Sequence, residues 1–172
     1  DTNMKTIGKD GILLRLAKDM YPERDDLSSI EVKTLFNDIC HKYIQREGIY
    51  DLLSWLEGTD FYSAPASTRY HGDYEGGLCD HSLHVYFCLR SYVKKRCEPG
   101  YHLSMSEESI ALCALFHDLC KVDIYKTEMR NKKNAQGQWE QVPFYTIEDA
   151  FPVGHGSKSV YIMNRYLKLT DI

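Results

Sequence analysis

The periodic apolar pattern between Ser28 and Gly48 constrains the fold of this chain more than any other segment. Ser28 and Glu31 have the spacing of a capping box, in which each side chain bonds the backbone N–H of the other residue at a helix start. Apolar side chains then recur every three or four positions, at Val32, Leu35, Phe36, Ile39, Cys40, Tyr43 and Ile44. The segment is therefore predicted to be an amphipathic helix with one buried face.

Helical patterns continue through most of the chain and are interrupted by one segment of different period. Five further helices are predicted. Four lie at residues 11–20, 49–58, 77–96 and 156–167, and the other is capped by Ser104 or Ser106 and ends at His117 and Asp118. Residues 125–133 and 139–147 alternate like two strands around a turn at residues 134–137. We therefore expect an all-α domain with a small β-hairpin insertion around residues 124–147.

The composition is that of one globular domain. The chain has 172 residues, of which 43% are hydrophobic and 27% charged, and we expect a single domain over residues 1–172. No apolar run approaches the roughly 20 residues that a membrane span requires. A formal net charge of −4 argues against a surface that coats nucleic acid. We expect a cytoplasmic protein without a membrane partner.

The cysteines are scattered and form no CxxC pair. Most of the six lie inside helical patterns, where free thiols pack as small apolar groups: Cys40, Cys79, Cys88, Cys97, Cys113 and Cys120. This favours a reducing compartment. We expect neither a disulfide framework nor a zinc cluster built from thiolates.

Four side chains are candidate metal ligands. His117 and Asp118 are adjacent near the end of an apolar helical run, where they would project about 100° apart and could reach one ion. His81 and His155 each lie at the edge of another predicted helix. Imidazole with carboxylate suits Zn, Mn, Fe, Co or Ni, and carboxylate with water also suits Mg. The predicted cofactor is therefore one or two divalent ions of unspecified identity.

Two stretches carry a resemblance to a known family. The run GGLCDHSLHV at residues 76–85, followed by ALCALFHDLCKVD at residues 111–123, resembles the HD-domain superfamily of metal-dependent phosphohydrolases. The resemblance implies an HD-type helical bundle in which His81, His117 and Asp118 bind the metal.

Three positions need to be compared with the family pattern one by one. His155 falls where subfamilies with two metals have another histidine ligand, and Cys120 replaces the glycine of the HDxGK run. The family pattern closes with a downstream aspartate ligand, whereas Asp171 is better interpreted as a helix cap. We therefore expect a chain truncated after Ile172, with an incomplete metal site.

Several side chains are candidates for substrate binding. Lys121 follows Asp118 by three residues and could neutralise phosphate charge, although a lysine there also suits a helix C-terminus. Arg69 and His71 lie in a loop that resembles the substrate-covering loop of some members, or are simply solvated. Lys158 follows a glycine-flanked helix start that favours anions but does not match the Walker pattern.

The predicted catalytic group is a metal-bound water molecule. A bound divalent ion lowers the pKa of its water toward 7, so that hydroxide can attack phosphorus at neutral pH. Lys121 or Asp80 would assist, Asp80 by holding the second nitrogen of His81 or by relaying a proton. The alternative for Asp80 is a solvated position on the helix surface.

The leading hypothesis is a metal-dependent phosphohydrolase that acts on a nucleotide or a related phosphate ester. A second hypothesis is a 3′ to 5′ exoribonuclease-like phosphodiesterase. Such members usually carry an additional nucleic-acid-binding domain, and no segment of this sequence resembles one, so we expect a small phosphorylated substrate rather than nucleic acid. A third hypothesis is a non-catalytic nucleotide-binding HD module, and a fourth is a helical scaffold with incidental histidines.

Overall fold

The computed structural model describes residues 27–95 and 104–170. Over these residues the chain forms five α-helices, a short 3₁₀ helix and two strands. The α-helices are α1 Ser29–Tyr43, α2 Ile49–Glu57, α3 Gly77–Lys95, α4 Glu107–Leu115 and α5 His155–Asn164. The 3₁₀ helix is Leu119–Lys121, and the strands are β1 Tyr125–Lys133 and β2 Trp139–Ile147. The predicted helix at residues 11–20, the predicted helix end at Arg96 and the predicted cap at Asp171 lie outside the described residues.

The predicted capping box at the start of α1 is confirmed. The Ser28 side chain accepts a hydrogen bond from the Glu31 backbone at 3.2 Å, and the Glu31 carboxylate accepts one from the Ser28 backbone at 2.7 Å. These bonds satisfy two N–H groups that a helix start would otherwise leave without partners. Leu35, Phe36 and Ile39 are among the residues on the buried face of the helix. Pattern and cap therefore fix both the start and the orientation of α1.

Aromatic packing ties the centre of the core to the segment that carries the His-Asp pair. The ring of Phe36, which is fully buried, lies 5.0 Å from Phe61 and 5.7 Å from Phe116, between ring centroids. Tilted and edge-on contacts at such distances are favourable ring geometries. Because Phe116 directly precedes His117, the core holds the chain in place at the candidate site.

The predicted β-hairpin is confirmed, with both strands at the predicted residues. The strands β1 and β2 are antiparallel and pair continuously from Tyr125 with Ile147 to Lys133 with Trp139. In the turn, the side-chain oxygen of Asn134 accepts backbone hydrogen bonds from Gln136 and Gln138 at 3.0 and 2.9 Å. This is the local bonding that makes asparagine a turn residue.

The prediction of an all-α fold class is wrong. Of the described residues 48% are helical and 13% lie in strands, so the fold is mixed, with five helices and a two-stranded antiparallel sheet. Helical periods outnumber the strand pattern along the sequence, and they therefore favour a fold in which the hairpin is only a small insertion. Each strand is in fact nine residues long and fully paired with the other.

Within residues 27–95 and 104–170, none of the helices combines the length and hydrophobicity needed to cross a membrane.

A charged cluster joins the turn after α1 to the start of α4. The Glu108 carboxylate accepts hydrogen bonds from the Gln45 backbone and from the Arg46 side chain, both at 2.9 Å. Burial opposes ionisation of Glu108, but these two hydrogen bonds outweigh it and lower its pKa. The carboxylate form is therefore favoured in the folded protein.

Replacing Glu108 with glutamine is expected to destabilise the protein at neutral pH by roughly 1–2 kcal/mol, since hydrogen bonds to a charged group are lost. Because the pKa of Glu108 is lower in the folded state, its ionisation stabilises the protein fully at pH values above the unfolded-state pKa of roughly 4.3. This stabilisation is lost as the pH falls through the lower, folded-state pKa. Urea unfolding at pH 7 and at pH 3 measures the difference, which should shrink at pH 3. Glu47→Gln, at an exposed site, is the control, and an equal loss in Glu108→Gln at both pH values would contradict the prediction.

Candidate metal centre

His117 and Asp118 lie in a turn rather than on a helix. The helix α4 ends at Leu115, and Phe116 has φ −113° and ψ 10°, outside regular helical geometry. Phe116 itself is fully buried in the core. The prediction that the two ligands project about 100° apart on a helix is therefore wrong, although the turn still brings them together.

Within the described residues, metal-donor atoms converge in two groups, each of which can hold an ion. The first consists of His81 on α3 with His117 and Asp118 in the turn, and its donor atoms all lie within 4.8 Å of one another. Asp118 Oδ2 lies 3.2 Å from His117 Nε2 and 3.6 Å from His81 Nε2. Donors about 2.1 Å from one ion lie roughly 3.0–3.4 Å apart at octahedral or tetrahedral angles. The residues therefore fit a divalent cation.

A backbone contact orients the ring of His117. Its Nδ1 lies 2.7 Å from the carbonyl oxygen of Ala114, which can only accept a hydrogen bond. Nδ1 therefore carries a proton, and Nε2 is the nitrogen that faces Asp118. Nε2 donates to the carboxylate when it is protonated, and it offers a lone pair when an ion takes the place of that proton. Metal-binding histidines usually have this arrangement, in which a hydrogen bond at one nitrogen fixes the tautomer and directs the other toward the ion.

The charges of the first group suit metal binding. Burial lowers the pKa of His81 to about 4, helped by His117 and opposed by Asp118. Burial opposes ionisation of Asp118, but hydrogen bonds from His117 and Lys121 hold its pKa well below the usual range. Burial likewise favours neutral His117, yet its hydrogen bonds to Asp118 and Ala114 raise its pKa. At neutral pH the group therefore offers the ionised carboxylate of Asp118 beside the neutral imidazole of His81.

The second group of donors consists of Asp118, Cys120 and His155, again with all donor atoms within 4.8 Å of one another. Cys120 Sγ lies 3.3 Å from Nδ1 of His155, the first residue of α5. The four predicted ligands therefore do not form one group, because His155 lies with Cys120, and Asp118 is common to both groups. Cys120 was not predicted as a ligand, and the only signal for it was its replacement of glycine in the HDxGK run.

Ser159 fixes the relative position of the two groups. Its hydroxyl donates to the backbone oxygen of His117 at 2.9 Å and accepts from the backbone N–H of Cys120 at 3.1 Å. Ser159 is buried and lies one helical turn after His155 on α5. This one side chain therefore holds α5 against the turn that carries the His-Asp pair.

A cleft opens beside the second donor group. It has a volume of about 250 Å³, and Ala66, Lys121 and Tyr125 lie along it with the two donors Cys120 and His155. The Lys121 ammonium donates to the Ala66 backbone oxygen at 2.8 Å and lies 2.9 Å from Asp118 Oδ2. The Tyr125 hydroxyl donates to the same Ala66 oxygen at 2.9 Å. Lys121 is therefore held between the donors and the cleft.

The loop before α3 reaches the first donor group. His71 is exposed, and its ring centroid lies 4.7 Å from that of His81, while Arg69 is exposed nearby on the same loop. The loop packs tightly on the start of α3, because a Cβ on Gly77 would overlap the Gly72 backbone oxygen. This close approach requires glycine and places His71 beside the candidate ligands.

Two other predicted site residues have different partners. Asp80 accepts a hydrogen bond from the Tyr74 hydroxyl and lines a separate cavity of about 310 Å³ together with Lys33. Lys158 is buried, and its ammonium lies 2.8 Å from Asp149 Oδ1. Asp149 therefore already neutralises the positive charge of Lys158, which the sequence analysis considered for binding a phosphate group.

Comparisons of this chain with protein-family models, with curated proteins and with solved structures found no match. The functional interpretation therefore depends on the geometry of the two donor groups and of the cleft beside them.

Proposed function

We propose that this protein is a metal-dependent phosphohydrolase, similar to HD-domain enzymes, that acts on a nucleotide or a related phosphate ester. The observation that carries the proposal is the convergence of His81, His117 and Asp118 beside the ammonium group of Lys121. Nitrogen and oxygen donors of this kind suit a divalent ion that activates water. A cation next to such a centre is where a bound phosphoryl group needs charge compensation.

Each residue of the site has its own role in binding the ion or the substrate. When bound, the ion would supply Lewis acidity and lower the pKa of a water molecule. Asp118 and the two histidines hold the ion, and the hydrogen bond of His117 to Ala114 keeps its ligand atom turned inward. The Lys121 ammonium can move from Asp118 toward a phosphate oxygen and still donate a hydrogen bond to the backbone oxygen of Ala66. His71 lies close enough to His81 to contact the substrate at the mouth of the site.

The cleft supports a small substrate. Its volume of about 250 Å³ lies just below the range of small-molecule sites, which typically measure about 300–1,000 Å³. Tyr125 and Ile147, which face each other across the hairpin, form one wall and offer an apolar surface for a base or sugar. The volume and the mixed wall fit a mononucleotide better than an extended polymer.

The hairpin gives little support to the exoribonuclease-like hypothesis. Successive side chains of a strand point to opposite faces, so Lys126, Arg130 and Lys132 lie on the face opposite Tyr125. Tyr125 borders the cleft, so these three basic side chains point away from it, whereas Lys133 shares the face of Tyr125 but lies at the other end of the strand. A polymer that enters the cleft would not be guided by them.

The test is a metal-reconstitution assay on the full chain. Protein stripped with chelator is reloaded with Mn, Co, Ni, Zn or Mg and assayed on nucleoside monophosphates and on bis(p-nitrophenyl) phosphate. We expect hydrolysis only after reloading, and a loss of about 100-fold or more in His81→Ala, because removing a ligand should cost at least as much as removing its outer-shell partner. His84→Ala, on the same helix and exposed, is the matched control and should retain activity.

The possible results separate the hypotheses. Hydrolysis of the monophosphate supports the proposal, whereas hydrolysis of the diester alone supports the phosphodiesterase hypothesis. Nucleotide binding without turnover in the reloaded protein would support a non-catalytic binding module. Activity that survives both chelation and His81→Ala would refute the metal mechanism.

A further inference from the structure

Cys120 occupies a position that the proposed function does not use. Its side chain is only 4% exposed, yet its sulfur borders the cleft and lies 3.3 Å from His155 Nδ1. A carboxylate oxygen of Asp118 lies within 4.8 Å of both donor atoms. A carboxylate, a thiol and an imidazole therefore lie close together. Cys120 comes from the 3₁₀ helix, and His155 comes from α5.

The spacing of these donors fits a tetrahedral ion. A sulfur about 2.3 Å and a nitrogen about 2.0 Å from such an ion lie roughly 3.5 Å apart. The measured separation of Cys120 Sγ and His155 Nδ1 is 3.3 Å. The Asp118 oxygen lies within 4.8 Å of both atoms. Three protein donors leave the fourth position for water or substrate, as in catalytic zinc sites.

The backbone around the cluster is held in place independently of any ion. The buried Ser159 hydroxyl bonds both the Cys120 N–H and the His117 carbonyl, so the turn and α5 cannot separate without breaking two hydrogen bonds. His155 lies one turn earlier on the same helix. Cys120 and His155 are thus positioned on two elements that a third residue joins.

We propose that Asp118, Cys120 and His155 form a second metal site that binds a zinc-class ion through a thiolate, with Asp118 shared between the two sites. This inference deepens the proposed function, on which the shared role of Asp118 rests. A carboxylate has two oxygen atoms and can give one to each ion. On binding, the Cys120 S–H bond is replaced by a metal–sulfur bond, and the proton passes to solvent.

The thiolate gives the second site a different metal preference from the first. Cysteine sulfur is a soft ligand that selects Zn or similar ions, whereas Mg and Mn prefer sites built from oxygen. The first group, with two imidazoles and a carboxylate, accepts a wider range. The centre is therefore asymmetric, with a zinc-class ion next to Cys120 and a more exchangeable ion next to His81.

Cobalt substitution of the full chain tests the site by a readout other than activity. Thiolate bound to Co²⁺ gives an intense near-ultraviolet charge-transfer band, which imidazole and carboxylate ligands do not give. We expect wild-type protein to bind two Co²⁺ ions per chain and to show this band. Cys120→Ser should lose the band and bind the second ion on the order of 100-fold more weakly or worse.

Three further variants make the result specific. Cys88→Ser, at an exposed cysteine on α3, should keep the band and both ions. His81→Ala should lose the first ion and keep the band, because it changes only the first group. His155→Ala, at an exposed ligand whose loss leaves the core intact, should lose the second ion even if Cys120→Ser folds poorly.

The results distinguish a failure of the thiolate site from a failure of the proposed function. A band that persists in Cys120→Ser, or cobalt bound to wild-type protein without a band, overturns the thiolate site and leaves the phosphohydrolase proposal standing. A band with no hydrolysis of any phosphate ester supports the site and counts against the proposed activity. Wild-type protein that binds no cobalt at all overturns both.

Discussion

Replacing Asp118 with asparagine is expected to abolish metal binding at both donor groups and to lower metal-dependent hydrolysis by about three orders of magnitude, since a catalytic metal contributes several kcal/mol and each 1.4 kcal/mol is tenfold. Asp118 is the one residue common to the two groups. Asparagine keeps the shape of the side chain but removes the negative charge that balances the ion and Lys121. No other substitution is expected to affect the centre as strongly.

Metal content by elemental analysis and turnover of the reloaded protein measure this effect together. Asp123→Asn is the matched control, because it makes the same chemical change at an exposed carboxylate outside both donor groups. Asp123 has φ 57°, which asparagine tolerates, and an amide oxygen can still accept the hydrogen bond from the Asp60 backbone. If Asp118→Asn retained a full complement of metal, Asp118 could not be a shared ligand.

The candidate site was predictable from the sequence only in part. The spacing and the family resemblance singled out His81, His117 and Asp118, and the structure brings these three together. The helix end at Leu115 was not predictable, because Phe116 is as apolar as the residues before it and its packing against Phe36 is a long-range contact. A local pattern of apolar residues continues through Phe116 and gives no sign that the backbone changes direction there.

The place of Cys120 shows a different limit of sequence reasoning. A scattered thiol in an apolar run is typical of a small core residue, and by burial Cys120 is one. Its nearness to His155 depends on how α5 docks, which Ser159 determines through hydrogen bonds to the backbone. Contacts between residues 35 positions apart cannot be obtained from a period or a motif.

For the fold, too, the features set by neighbouring residues were predictable, and those set by long-range packing were not. The capping box of Ser28 and Glu31 and the turn at Asn134 are local and were predicted correctly. The fold class was wrong because it required the relative weight of helix and sheet. Gly48 is a further case, since its φ of 93° and the overlap of any Cβ with the Tyr166 backbone follow from docking of the chain after α5.

Replacing Phe36 with alanine is expected to destabilise the protein by about 3–5 kcal/mol, the usual cost of removing a buried phenyl ring. Phe36 is fully buried and contacts both Phe61 and Phe116, so the cavity would open at the centre of the core. For a domain of this size the midpoint of thermal unfolding should fall by about 6–20 °C, at roughly 2–4 °C per kcal/mol. Calorimetry of chelator-treated protein measures the shift.

Ile30→Ala is the matched control, because Ile30 lies on the same helix but is 72% exposed and should change stability by no more than about 0.5 kcal/mol. The Phe36 variant also tests the connection between core and site. Phe116 packs against Phe36 and precedes His117, so loosening the core should weaken metal binding as well, although the variant removes no ligand. A Phe36→Ala protein that unfolds more easily yet binds metal as tightly as the wild type would show that the turn at His117 and Asp118 is held independently of Phe36, by contacts such as those of Ser159 and Ala114.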